Sequence, residues 1–354
     1  MIKLEDYNYH LPQELIANAP ASPRDDARLF VYNTATDEIA FDTFAHIDRY
    51  LPQPSLLVFN NTKVVPARLW LTKATGGKIE VLLMMNEYRK GDPFVKGVVD
   101  RKILPGAILS FKSGATLTII KQEEQFFFFR PSITMPEFWK LLMKEGITPI
   151  PPYIKGATLS ETALREKYQS ILAKHPASIA APTASLHFTN RLLNKLEQKE
   201  VQRTEVTLHV GAGTFAPINE ANFRTNKLFT EYIDLSSKSA DAINRAKIDG
   251  IPIIPVGTTA MRTIESSVKT VQGRPLDSVE ACSRSTNIFI YPPYKFMIAD
   301  GLITNFHVPK SSLLLLVDAL LKHKKAKRGI LDLYDIAIKE KFRFYSFGDG
   351  MLIL

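Results

Sequence analysis

Cysteine is almost absent from this chain of 354 residues. Cys282 stands alone, which excludes an intramolecular disulfide and any metal site built from several thiolates. With no base beside it in sequence, it is expected to be structural. Long apolar runs are missing too. The most hydrophobic stretch, 313–317 within 311–321, is far short of the roughly 20 residues that a bilayer span requires. Glu5 and Asp6 stand where an export leader would carry its apolar core, so a cytoplasmic location is expected. Neither G-x-G-x-x-G nor G-x-x-x-x-G-K-[ST] occurs, which removes the usual dinucleotide and triphosphate cradles. The seven histidines form neither H-x-H nor H-E-x-x-H, so chemistry without a metal or a resident cofactor is expected.

What remains is an ordinary globular composition, 45% hydrophobic and 23% charged, long enough for about two domains. An excess of 45 basic over 36 acidic side chains gives a net charge of +9, a weak pointer to a polyanionic partner. Strands are expected at 29–33, 38–41 and 55–59. From Ala67 the texture changes to short β-type runs at 78–85, 94–99, 108–112, 116–121 and 125–130, separated by glycine- and proline-bearing turns. That spacing predicts a small antiparallel barrel. After Thr158 strands alternate with helices, expected at 161–174, 189–200, 237–248, 259–270 and 310–323 with strands at 204–210, 253–257 and 287–291. This alternation is the mark of an α/β sheet. The simplest arrangement is an α/β domain made of residues 1–66 and 151–354, with the barrel, residues 67–150, inserted in it.

Polar residues gather at expected strand ends, where open α/β sheets bind ligands. His187, His209 and His307 can supply proton transfer near neutral pH. Gly211-Ala212-Gly213-Thr214 follows a strand and is the nearest approach to a phosphate cradle, although a tight turn explains it equally well. Arg262 has Glu265 three residues on, a spacing that also suits a modest surface ion pair. Lys324, Lys325, Lys327 and Arg328 could neutralise phosphates, or simply solvate a turn. In the Phe126–Phe129 run, strand alternation turns two of the four rings inward, so a core role is favoured over base stacking.

Taken together, Tyr7–Pro12, Pro23-Arg24-Asp25, Asn60-Asn61-Thr62 with Pro66-Ala67-Arg68, Ala180–Ala184 with Leu186-His187-Phe188, Val206–Phe215, Val256–Thr259, Asp300–Leu315 and Tyr345–Leu352 resemble the S-adenosylmethionine:tRNA ribosyltransferase-isomerase family. The likeness runs from about Lys3 to the last residue, and the strings at 207–215 and 304–307 are its most specific parts. The resemblance implies an α/β domain carrying an inserted β-barrel. It also implies a reaction in which the ribosyl group of S-adenosylmethionine is transferred to 7-aminomethyl-7-deazaguanine in a tRNA anticodon and isomerised, giving epoxyqueuosine. S-adenosylmethionine is then a co-substrate, and tRNA is the partner. His187, His209 and His307 would move protons. Arg24, Asp25, Asn61, Thr62, Thr214, Thr258, Thr259, Arg262 and Asn305 would position substrate groups, and Gly211 and Gly213 would admit close backbone approach.

The chain departs from the family pattern at five places. Asn226 and Phe229 stand where the family has histidines, Leu172 replaces a tyrosine, and Ser185 and Pro293 replace glycines. Asparagine exchanges no proton near pH 7 and phenylalanine none at all, so weakened or redirected turnover is the expectation from these changes. Two other kinds of protein fit the same strings. One binds tRNA without turning it over; the other uses S-adenosylmethionine on a small molecule without tRNA.

Overall fold

The computed structural model describes residues 2–89, 91–154, 159–211 and 218–354. The chain opens with β1 (Arg28–Asn33) and β2 (Glu38–Thr43), a hairpin turning at Asp37, and then β3 (Ser55–Asn60) and the short β4 (Thr62–Val64). Six strands follow: β5 (Arg68–Lys73), β6 (Lys78–Leu83), β7 (Val95–Val99), β8 (Ile108–Ser110), β9 (Thr116–Glu123) and β10 (Phe126–Pro131). They close into a barrel in the order β10-β7-β6-β5-β8-β9. Helix α1 (Met135–Glu145) plugs it with Phe138, Leu141 and Leu142. Phe127 and Phe129 point into the barrel core, while Phe126 and Phe128 lie outside under the ammonium groups of Lys96 and Lys121. The run is therefore core on one side and lysine-covered on the other, which leaves no open stacking platform. The chain leaves and re-enters the barrel side by side, Arg68 and Ile147 exchanging backbone hydrogen bonds at 3.2 and 2.8 Å.

After α2 (Glu161–Lys167), β11 (His175–Ser178) and α3 (Asn190–Glu197) come β12 (Val201–His209), α4 (Glu220–Thr225), β13 (Lys227–Leu235), α5 (Ser237–Ile248), β14 (Ile253–Val256) and α6 (Thr258–Ser266). The remainder comprises the hairpin β15 (Val268–Val271) and β16 (Arg274–Val279), then β17 (Cys282–Ile288), β18 (Leu302–Asn305), α7 (Ser312–His323), α8 (Ile330–Lys339) and β19 (Gly350–Ile353). A nine-stranded sheet in the order β17-β13-β12-β3-β14-β18-β19-β1-β2 draws strands from both sides of the barrel. The fold is thus α/β with an inserted antiparallel barrel, as expected.

Strands β12, β3, β14 and β18 run parallel. All six residues of β3 are buried, because alternate side chains feed two cores: Leu56 and Val58 face α5–α8, and Leu57 and Phe59 face α3. Some elements differ from expectation at their ends. The helix expected over 161–174 stops at Lys167, and its continuation bends so that Lys174 and His175 reach the Asn61 carbonyl. The helix expected over 259–270 stops at Ser266, where Ser267 folds back on Thr263 and a hairpin begins. The strand expected at 287–291 lies earlier, at Cys282–Ile288, paired with β13. Cys282 is half-buried, with Sγ 3.3 Å from Ser267 Oγ.

Candidate functional site

The carboxyl ends of β3, β12, β14 and β18 meet at one edge of the sheet. A cavity of about 370 Å³ opens there. Its wall contains Val210 beyond β12, the N-terminal half of α6 with Thr258, Thr259 and Arg262, Thr304 to Ser311 at and beyond the end of β18, Ala180 to Ala184, and Tyr153, Tyr345 and Ser346. Asn60, the last residue of β3, braces this edge: its amide donates to the Leu208 carbonyl and to Thr259 Oγ1 at 3.0 and 3.1 Å.

Two of the three histidines serve the same four-residue strand. His307 lines the cavity, its ring engaging Thr304 Oγ1 at 2.8 Å through Nε2, and its backbone N–H donating to the Tyr334 hydroxyl at 2.8 Å. Tyr9 donates its hydroxyl hydrogen to the His307 carbonyl. His187 lies behind the wall, packed on Phe44, with Nε2 3.2 Å from the Asn305 amide nitrogen. Asn305 in turn accepts from Thr183 Oγ1 at 3.0 Å, so His187 reaches the cavity through Asn305. Burial pushes the imidazolium form down to about 4 for His187 and about 3 for His307. Both are neutral rings at pH 7, each with a lone pair of lowered basicity, and neither is a standing acid.

His209 is elsewhere. At the end of β12 it is bonded to Thr62 Oγ1 at 2.7 Å and stacked on Tyr232, whose ring also carries the Arg89 guanidinium at 4.6 Å. This polar seam joins the barrel turn at 85–89 to the sheet. Burial, followed by the neighbouring His175 and Arg89, holds His209 down to about 4.

The other expected ligands divide in the same way. Thr258, Thr259, Arg262 and Asn305 line the cavity. Arg24 donates to the carbonyls of Gln169 and Glu166 at 2.6 and 3.0 Å, and Asp25, buried, accepts from Thr189 and Arg191 at 2.8 and 2.9 Å; both tie surface segments together. Asn61 is spent between Glu205 and Thr207. Gly211 is pressed against Asn86, whose carboxamide nitrogen would lie 2.6 Å from an added Cβ, so a side chain there would clash. Gly213 and Thr214 lie outside the described residues.

The i,i+3 pair that the spacing of Arg262 and Glu265 would also suit does not form. Arg262 instead forms a buried ion pair with Glu231 of β13, while Glu265 accepts the N–H groups of Met297, Ile298 and Ala299 at 3.1, 3.0 and 3.0 Å. Glu231 also accepts the Gly211 N–H at 3.1 Å. It was missed in the sequence because its partners are 20 and 31 residues away. Tyr153 was missed too: it arrives from the segment after the barrel, with its hydroxyl 2.7 Å from Ser346 Oγ, and burial pushes it up to about 12. Asn86, buried with neither carboxamide atom bonded, comes from the barrel itself.

None of the five departures lines the cavity. Asn226 caps α4 in the left-handed region at φ 54°, Phe229 is exposed on β13, and Leu172 packs beside the α3 core. Ser185 is buried within the 183–187 turn, and Pro293 lies in the 291–294 loop.

Of the basic run, Lys324 donates to the Asp300 carbonyl at 2.8 Å and Arg328 pairs with Asp37 at 3.1 Å, whereas Lys325 and Lys327 are exposed. Among the described residues, no group of three or more His, Cys, Asp or Glu is gathered as metal ligands, and no helix is long and apolar enough to cross a membrane.

A mixed α/β sheet with a largely apolar cavity, set with a few polar groups, at the carboxyl edge of its parallel strands and an inserted barrel defines the class of architecture. The particular family follows from sequence comparison. The model of the queuosine biosynthesis protein family matches residues 4–353, and this chain belongs to that family. It is 41% identical over the full length of both chains to the S-adenosylmethionine:tRNA ribosyltransferase-isomerase of Carboxydothermus hydrogenoformans, and 39% identical, again over the full length of both, to that of Aquifex aeolicus. The crystal structure of S-adenosylmethionine tRNA ribosyltransferase from Thermotoga maritima aligns with 99% of this chain and 100% of its own, at 30% identity and a TM-score of 0.54.

Proposed function

We propose that this protein transfers and isomerises the ribosyl moiety of S-adenosylmethionine onto 7-aminomethyl-7-deazaguanine in tRNA, forming epoxyqueuosine in the cytoplasm. The carrying observation is identity of about 40% along the whole chain to relatives bearing that activity in their names. The position of the departures outside the cavity wall favours an active enzyme over a silent tRNA-binding relative.

In this reading the body is residues 1–66 and 151–354, the barrel is 67–150, and no cofactor beyond the co-substrate is needed. The reaction requires removal of a proton from the ribose carbon next to the sulfonium, and it requires the aminomethyl nucleophile to be held close to the electrophile. His307 is the histidine on the cavity wall, and we assign it the proton. In the tautomer whose Nε2–H donates to Thr304, Nδ1 carries the lone pair that accepts it. His187 is then a positioning residue for Asn305, and His209 belongs to the barrel seam. Arg24, Asp25 and Asn61 hold the frame.

Incubation with S-adenosylmethionine labelled in its ribose and tRNA bearing the aminomethyl base tests the reading. Adenine release together with label in the tRNA is expected. Binding of tRNA without either product would leave the silent reading standing, and adenine release without tRNA would identify a small-molecule enzyme.

A further inference from the structure

Arg262 is 5% exposed and forms part of the cavity wall, yet only one of its three nitrogens has a partner. Nη1 is held by Glu231, while Nε and Nη2 are buried without any hydrogen-bond partner. Those two form the side of the guanidinium fork whose parallel N–H groups match the two oxygens of a carboxylate. A buried donor left unmade is costly, so an unfilled pair at a cavity wall points to an absent acceptor.

The same place offers a second set of donors. Helix α6 begins on Gly257, at φ 93° and therefore in a region side chains avoid, with no side chain capping the first turn. The Gly257 N–H goes to the Ile303 carbonyl, and Met261 is the first residue to return a hydrogen bond to Gly257. The N–H groups of Thr258, Thr259 and Ala260 thus form the open N-terminal turn, and Thr258 and Thr259 line the cavity. Arginine side chains lean toward the helix N-terminus, which brings the fork toward these amides.

Charge narrows the ligand further. Glu231 already offsets the Arg262 cation, leaving only the partial positive charge of the helix end, so a monoanion suits this site better than a phosphate dianion or a polyanionic strand. We infer that the Nε/Nη2 edge of Arg262 and the first turn of α6 receive the α-carboxylate of the amino-acid part of S-adenosylmethionine, an assignment that rests on the function proposed above. Glu231 then has a positioning role: it holds the fork in register while leaving that edge without a partner.

The test is calorimetric titration of the full-length protein, with tRNA present, using S-adenosylmethionine and its decarboxylated analogue, which keeps the sulfonium, ribose and adenine. The wild type should bind the analogue about 10–100-fold more weakly, the value of a charge-assisted bidentate contact. Arg262→Lys keeps the charge but loses the fork, and should reduce that ratio to within about threefold while the analogue's own affinity stays near its wild-type value. Equal wild-type affinity for the two compounds would overturn the carboxylate assignment and leave S-adenosylmethionine use intact. Binding of neither would overturn both. Should the lysine variant fail to fold, the wild-type ratio alone decides.

Discussion

Helix α7 joins two regions that look opposite in the sequence. Its first turn, Ser311 to Leu313, borders the cavity, where the charged group on the wall from α6, Arg262, is already paired. Twelve residues later, about 18 Å along the axis at the usual rise, the chain enters the most basic stretch of the molecule. Charge density would make the second end the functional one. The partners say otherwise: Lys322 is bound by Asp318 at 2.8 Å, Arg328 by Asp37, and Lys324 by a carbonyl, so most of the run closes a turn between two helices. The cavity end has fewer charges but carries buried donors without acceptors. Unmet hydrogen-bonding capacity under burial is the better sign of a ligand, because it costs stability that folding alone does not return.

That contrast can be broken most directly at His307. His307→Asn should lower single-turnover adenine release by about 10²–10⁴-fold, the usual worth of a general base, while leaving tRNA affinity unchanged. An unaltered rate would remove His307 from proton transfer. Next is the ion pair on the wall: Glu231→Gln leaves the Arg262 cation buried and uncompensated, and should cost about 3–5 kcal/mol in urea unfolding. A loss below about 1 kcal/mol would mean that the pair is effectively solvated.

The neutral histidines sharpen the comparison through pH. The unfolded chain takes up protons below about pH 6.5, whereas His187 and His307 in the folded protein resist until about 4 and 3. The unfolded state therefore binds more protons in that window. Stability is complete above about pH 6.5 and falls with pH, by up to about 1.4 kcal/mol per unit for each fully buried ring. Urea midpoints between pH 7.5 and 5 measure this, and a flat profile would contradict neutral burial of the rings.

At the basic end, Lys325→Ala with Lys327→Ala should flatten the slope of log tRNA affinity against log salt by about two units if both meet phosphates. Lys324→Ala should leave the slope unchanged, since its ammonium group is already committed to Asp300. No change in either variant would leave the run as a turn only. The smallest effect is expected where the sequence departs most visibly from the family. Asn226→His with Phe229→His alters positions outside the cavity wall, so turnover should stay within about twofold of wild type, as for surface substitutions. A large gain would show that those imidazoles reach the reaction.

Strand texture alone made the barrel and the α/β alternation legible, because side-chain period and turn residues are local properties: the alternation of Phe126 to Phe129 and the capping of α1 by Thr134 and Glu137 are settled within a few residues. The strings at 256–262 and 304–307 likewise mark the cavity wall from sequence alone, since each begins at a strand end, the first running into a helix and the second into a turn. What could not be read locally was which polar groups share a site. His187, His209 and His307 look equivalent in the sequence. Yet parallel pairing of β14 with β18 sets His307 beside α6, a layer of packing puts His187 behind Asn305, and His209, across the sheet from its neighbour Leu208, faces the barrel. Arg262 took Glu231 over Glu265 for the same reason, since backbone N–H groups from 297–299 had already claimed the nearer carboxylate. Local spacing determined the elements and the residues at their ends. Long-range pairing alone decided which donors were satisfied and which were left without a partner at a cavity wall, because hydrogen bonds and ion pairs select partners by distance in space and are indifferent to separation along the chain.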